Sequence, residues 1–210
     1  MVGQKRQRRR DLTRERILAA AIEIAHEGGW SGVTMRKIAD RIDYSHPALY
    51  AYFATKEDLL VALLRQGLAL YRGAMQAAAD TPASLEERAL AVNAVLWEFP
   101  WRHPELYQVM HGLGGVAFVR ADTRAEERAT VEPAVGVVGA LLARHGRDAG
   151  DALRLCTLHW CLIHGLVTLT MAGRFSREEG AALAAQAGRD AVTAWTGSRP
   201  VADQAEGAPA

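Results

Sequence analysis

The stretch TMRKIADRIDYSHPALYAYF, Thr34 to Phe53, decides the fold. It reads as two short amphipathic helices around a tight turn at Asp43 and Tyr44. Met35, Ile38, Ala39 and Ile42 form the buried side of the first, and Leu49 and Phe53 that of the second. That is helix-turn-helix spacing. The pattern leaves Arg36, Lys37, Ser45, His46, Ala48 and Tyr52 outward, a polar, aromatic and basic set. In such a motif the second helix enters a DNA major groove with its N-terminal residues at base edges, the position that Ser45, His46 and Ala48 occupy.

Outward from this stretch, 3.6-residue periodicity recurs and strand alternation does not persist, so the chain is expected to be all-α. About nine helices are predicted, over 13–27, 34–41, 45–52, 56–79, 84–100, 104–112, 123–145, 150–173 and 176–195. Ser84 with Glu87, Thr123 with Glu126 and Ser176 with Glu179 fit the S/T-x-x-E capping box, in which hydroxyl and carboxylate each satisfy a backbone donor. Thr13, Thr34, Ser45 and Thr55 read as further N-caps, and Pro104 fits a first helical turn. The implied organisation is a basic disordered arm over 1–12, a helix-turn-helix domain over 13–60, a body over 61–197 and a disordered tail over 198–210.

The 210 residues carry 25 Lys and Arg against 24 Asp and Glu, but the distribution is lopsided. Residues 1–56 hold eleven basic against six acidic side chains, while residues 57–210 hold fourteen against eighteen. A basic head on an acidic body suits a regulator better than an architectural DNA protein, which would be basic throughout. Cys156 and Cys161 would point about 140° apart on a helix, so no disulfide between them is expected and a reducing cytoplasm fits. The basic run Lys5 to Arg10 is followed by Asp11, Arg14, Glu15 and Arg16 rather than an apolar segment, so no export signal is read. Leu155 to Gly173 carries no formal charge, yet His159, His164, Thr157, Thr168 and Thr170 within it argue against a membrane span. A helix apolar all round is instead expected in a core or an oligomer interface.

With these residues in view, Thr13 to about Leu64 resembles the DNA-binding domain of the tetracycline-repressor (TetR) family. The resemblance lies in Gly29 or Gly32 through Thr34, Arg36, Ile38 and Ala39, in Leu49-Tyr50-Ala51-Tyr52-Phe53, and in Lys56-Glu57 with Leu59. One departure is Asp43, where the family has glycine at a position of positive φ; Asp tolerates that conformation better than most residues. The resemblance implies that Arg36 reads a base, as guanidinium suits guanine, with Ser45, His46 and Ala48 also facing bases. It further implies that Tyr50, Tyr52 and Lys56 hold phosphates and that Thr34 donates at a helix start. Residue by residue, alternatives stay open. Arg36 and Lys37 in isolation read as a solvated face, Tyr50 as a half-buried phenol of the head, and the arm at Lys5 to Arg10 as a solubilising tail rather than a groove contact.

The body gathers Trp97, Phe99, Trp101, Tyr107, Met110, His111, Phe118, Trp160, His164 and Met171, residue types that suit an apolar effector pocket with a few polar anchors and equally suit a packed core. Trp160 and His164 share a helix face, with Gly165 beside them open to a neighbouring helix. HWCLIHGLVTLTMAGRF resembles the C-terminal domain of a TetR subfamily named for its Trp-His-Gly signature, which implies a ligand-sensing role for His164; a satisfied core histidine is the alternative. Helices 150–173 and 176–195 resemble the family's dimer-forming pair, and a dyad of two heads suits a palindromic operator. The rival from another class is an enzyme or metal site at Cys156, His159 and His164 with Cys161. Helical geometry turns Cys161 away from the other three, and no HExxH, paired CxxC, phosphate loop or GxSxG occurs, so no metal, cofactor or catalytic residue is expected.

Overall fold

The computed structural model describes residues 2–116 and 123–197, and within them the chain is all-helical, as its periodicity predicts. In order come α1 Val2–Gly28, α2 Met35–Arg41, α3 His46–Leu49, α4 Lys56–Ala79, α5 Leu85–Arg102, α6 Pro104–His111, α7 Arg124–Arg144, α8 Ala152–Met171 and α9 Arg177–Thr196. The tail expected over 198–210, and Phe118, lie outside the described residues.

Local chemistry sets the helix starts. At α9 the Glu179 amide donates to the Ser176 hydroxyl at 3.1 Å while the Ser176 amide donates to the Glu179 carboxylate at 2.7 Å. Ser84 and Glu87 do the same ahead of α5, at 3.2 and 2.9 Å, and Thr55 and Asp58 reciprocate at α4, both bonds at 3.0 Å. Such caps contribute about 1 kcal/mol each. At α7 the Thr123 hydroxyl donates to the Glu127 carboxylate at 2.6 Å, and Glu126 pairs with Arg65 at 3.6 Å.

Two expected boundaries are corrected. The arm over 1–12 is not irregular, because α1 runs unbroken from Val2. Its Lys, Arg and Gln are good helix formers, with no Pro or Gly from Gln4 to Glu27; Gln7 bonds Asp11 one turn on at 2.9 Å. Thr13 is therefore no N-cap; its buried hydroxyl donates back to the Arg9 carbonyl at 3.0 Å. In the other correction α3 ends at Leu49 rather than 52, since the Ala51 and Tyr52 amides close onto Ala48 and Leu49 three residues back.

The described residues of Met1–Tyr71 and Phe99–Arg128 form one compact unit, and those of Arg72–Glu98 and Ala129–Ala210 another. The division between the units falls inside α4, after Tyr71, and the chain returns to the first unit at Phe99. Gly67 explains part of that return: a Cβ there would lie 2.8 Å from the Met110 sulfur, so α4 and α6 approach through a missing side chain. The first unit buries Ile17, Val33, Ile38, Leu49, Phe53, Leu59 and Leu63 almost completely. The second centres on Val137, Val138, Leu141 and Leu142 of α7 with Ala152 and Trp195.

The α8 segment is long and apolar enough to cross a membrane by length and composition, but it is not hydrophobic on equal terms all round. Ile163, Val167 and Thr170 are buried in a stripe, while Leu153, Leu158, Leu162 and Leu169 stand exposed. No described residue approaches the open side of Gly165, so the neighbouring helix expected there is not one of these nine.

Candidate nucleic-acid interface

The head is assembled by its turn. Ile42 ends α2, Asp43 takes φ 58, and the Tyr44 amide returns to the Ala39 carbonyl at 2.9 Å. Asp43 is the only described residue other than glycine with positive φ, at the position where the family resemblance calls for one. The apolar side chains of both helices, Met35, Ile38, Ala39, Ile42, Leu49 and Phe53, are all buried. Arg36, Lys37, Ser45 and His46 are exposed, while Ala48 and Tyr52 are half-buried beside them.

Several of these side chains already have tasks within the protein. The Thr34 hydroxyl accepts from the Lys37 amide at 3.2 Å and caps α2, which leaves its hydrogen to donate elsewhere. Lys37 lines a cleft with Glu27, Asp40 and Arg41, whereas Arg36 lies outside that set. Arg41 is committed to Glu27 by two bonds of 2.9 and 2.6 Å, and this pairing holds the Glu27 carboxyl below its usual range. Lys56 is half-buried and donates to the Trp30 carbonyl at 3.1 Å; burial lowers its ammonium below the ordinary lysine value. Tyr50 is neither packed in the head nor free: it is exposed, its ring set edge-on to His46 at 5.1 Å.

Sequence reasoning missed the role of α1 as a brace. Arg10 donates to the Ala51 carbonyl at 3.2 Å, Arg16 to the Ile42 carbonyl at 3.1 Å, and the Arg14 guanidinium stands 4.3 Å from the centre of the Phe53 ring. These contacts tie α1 to the start of the turn and to the exit of α3. At the far end of α1, His26 meets the Glu105 carboxylate at 2.8 Å.

The effector candidates divide between the two units. In the first, Tyr107 and Met110 are buried, Trp101 is half-buried, and the Tyr107 and His111 rings lie 4.3 Å apart. Two residues absent from the expected set, Tyr71 and His103, join them through Phe99: Tyr71 meets Phe99 edge-on at 4.9 Å, and Phe99 meets His103 at 4.9 Å. Burial, then Tyr107 nearby, pushes the Tyr71 phenol far up. In the second unit Trp97 is buried against Gly180 and Thr170, and Trp160 stacks on His164 at 5.2 Å. Burial lowers the His164 imidazole.

Of the residues of the rival metal reading, His159 has partners of its own. His159 bonds Asn93 at 2.7 Å and faces the Trp195 ring edge-on, Cys156 is half-buried and Cys161 exposed. Among the described residues no three His, Cys, Asp or Glu side chains gather to hold a metal. Asn93 passes its amide hydrogen on to the Ala184 carbonyl at 3.1 Å, so Nε2 of His159 is the donor to the Asn93 oxygen. Burial depresses the His159 imidazole. The unfolded chain therefore binds a proton that the folded chain resists, and stability is lost as pH falls below the ordinary imidazole value near 6.5. The melting temperature should drop between about pH 7.5 and about pH 5.5, and the drop should shrink in His159→Gln; an equal drop in both proteins would remove His159 as its source.

Comparison with known proteins agrees with this geometry. The family described as bacterial regulatory proteins, tetR family, matches residues 17–63, and a tetracyclin repressor-like C-terminal domain matches residues 90–192. The transcriptional repressor NicS of Pseudomonas putida is 26% identical over 162 residues, 76% of this chain and 73% of its own. The repressor KstR of Mycobacterium tuberculosis is 46% identical over 63 residues, 30% of this chain, and this match spans only 27% of KstR. The solved structure of the regulatory protein SCO4313 superposes with a TM-score of 0.71 at 26% identity, covering 88% of this chain and 97% of that one. A helix-turn-helix turned on Asp43, braced by α1, with both family matches in register along one chain, makes this protein a DNA-binding transcriptional regulator of the TetR family.

Proposed function

We propose that the chain represses transcription by binding a palindromic operator as a homodimer, and that a small apolar or aromatic effector releases it. The observation that carries this reading is the outward face of the head: Arg36, Ser45 and His46 exposed on helices whose apolar side chains are all buried. In this reading residues 13–60 read DNA and 61–197 hold the effector and the dimer contact. Arg36 reads a guanine, with Ser45, His46 and Ala48 at bases beside it. Thr34, Lys37, Tyr52 and Lys56 serve the backbone, Lys56 through the two ammonium donors left after Trp30. The names of NicS and KstR support repression as the output. Dimerisation through α8 and α9 gives the exposed leucines of α8 a partner, and the two free cysteines suit a cytoplasmic protein.

The effector candidates are Trp101, Tyr107, Met110 and His111 in one unit, Trp97, Trp160 and His164 in the other, and Phe118. Aromatic and thioether groups dominate this set, which supports an apolar ligand anchored by imidazole or phenol. The reading includes no catalysis. Burial pushes the Cys156 thiol up to about 11, where it carries almost no thiolate at neutral pH.

The test is binding to operators selected from random duplexes. Arg36→Ala should cost about 1–3 kcal/mol on the selected operator and relax base preference. Removal of residues 1–8, which leaves the Arg9 carbonyl and the Arg10 brace in place, should weaken all sequences alike and flatten the salt dependence, by about 0.9 in slope for each phosphate no longer neutralised. Selection that returns no consensus sequence overturns the reading.

A further inference from the structure

The geometry points to Tyr50 as the residue that fixes how His46 reads DNA: Tyr50 holds the His46 ring in the tautomer that presents Nδ1–H to the N7 of a purine. This rests on the DNA-reading function proposed above, and it moves Tyr50 from the phosphate contacts to base readout.

His46 is the first residue of α3 and Tyr50 follows one turn later, so the two side chains lie on one face. Ser45, at the N-cap, makes no side-chain capping bond, and Pro47 fixes the backbone after His46. The Tyr50 hydroxyl lies 3.5 Å from Nε2 of His46, and the rings meet at 79°. Both side chains are exposed, as are Arg36 and Ser45.

A neutral imidazole has one donor nitrogen and one acceptor, and which is which depends on the partner of either. A phenol donates to an imidazole lone pair more readily than it accepts from an imidazole N–H. With Tyr50 donating to Nε2, the hydrogen of the neutral ring sits on Nδ1, and in the protonated ring Nδ1 carries a hydrogen too. In either state His46 then offers a donor away from Tyr50. The major-groove atom that takes one donor from A and G alike is purine N7, whereas C presents a donor of its own. A donor at His46 thus excludes C at one position of each half-site and accepts a purine there, the O4 of T being the one competing acceptor, and Tyr50 is its positioning residue. A tyrosine that held phosphate would contribute to every sequence equally.

The experiment uses the full-length protein. Duplexes are first selected from a random library, and a failure to obtain a consensus defeats the DNA reading itself rather than this inference. Each purine of the consensus half-site is then replaced by its 7-deaza analogue, which keeps pairing but lacks N7. One replacement should weaken wild-type binding about three- to tenfold, the worth of one hydrogen bond, and should have no effect on His46→Ala. Tyr50→Phe keeps the ring and removes the hydroxyl. Its preference for consensus over random duplex should fall by a similar three- to tenfold factor, with the sensitivity to 7-deaza abolished at the same position. Two results overturn the inference: no deaza position whose effect disappears in His46→Ala, or a Tyr50→Phe that weakens consensus and random duplex by one common factor.

Discussion

Leu162→Glu should leave a folded monomer whose operator affinity is lower by about a hundredfold or more. The expectation comes from the side of α8 that the described residues leave uncovered. Leu158, Leu162 and Leu169 follow at helical spacing and are 59%, 52% and 45% exposed, with Gly165 open between them. Together with Leu153, such leucines along one helix exceed the scattered apolar residues of an ordinary surface and mark an interaction site. A carboxylate at position 162 has water around it in the single chain, so folding loses little. Across a dyad the same substitution buries two unpaired like charges, and each uncompensated buried charge costs about 3–5 kcal/mol. Two linked heads bind a palindrome with the avidity that linkage supplies, about 10²- to 10⁴-fold, and monomers forfeit it. Sedimentation at micromolar concentration, circular dichroism and operator titration read the three parts separately. A Leu162→Glu protein that stays dimeric would place the interface elsewhere. Leu166→Glu is the instructive contrast, since Leu166 is half-buried in the single chain and a charge there should also lower its melting temperature.

What was legible in the sequence was what neighbours in sequence decide. Ser84 with Glu87 and Ser176 with Glu179 are three apart, so their capping bonds could be read before any fold was known. The buried side of the helix-turn-helix was legible for the same reason, and so was the strain at Asp43. The basic stretch from Lys5 to Arg10 is helical despite its charge, because helix propensity and the carbonyl of Ala51 favour that state, and the second of these is not local in sequence. Asn93 and His159 lie 66 residues apart, and nothing local in either segment announces the other. The aromatic residues of the body read as one cluster in sequence yet belong to two units, because Phe99–Arg128 returns to the first unit while Trp97, two residues before Phe99, remains in the second.

The long-range bonds of Asn93 make Gly188→Ala, in the same unit, a substitution of unexpected sign. In a helix interior, glycine to alanine ordinarily stabilises by about 1 kcal/mol through backbone entropy. Gly136 of α7 is the reference: a Cβ there meets nothing within 4 Å, and Gly136→Ala should show that ordinary gain. At Gly188 the added carbon would lie 2.6 Å from both Cγ and Nδ2 of Asn93. Asn93 is not the loose end of a flexible side chain. It is buried, its amide nitrogen is held by the Ala184 carbonyl at 3.1 Å, and its oxygen is held by His159 at 2.7 Å. To admit the methyl group, either α5 and α9 separate or Asn93 swings away and strands a buried donor and acceptor. Either route costs about 1–3 kcal/mol, so the helical gain of about 1 kcal/mol is outweighed and a net loss of about 1–2 kcal/mol is expected. At roughly 2–4 °C per kcal/mol for a chain of this size, the melting temperature should fall by about 2–8 °C. The cause can be separated from a general intolerance of α9. In an Asn93→Ala background the obstruction is gone, so adding Gly188→Ala should cost far less than it does in the wild type, a coupling of about 1–3 kcal/mol in a double-mutant cycle. Additive losses would mean that the helices clash through some other pair and that the Asn93 network does not set the spacing between α5 and α9.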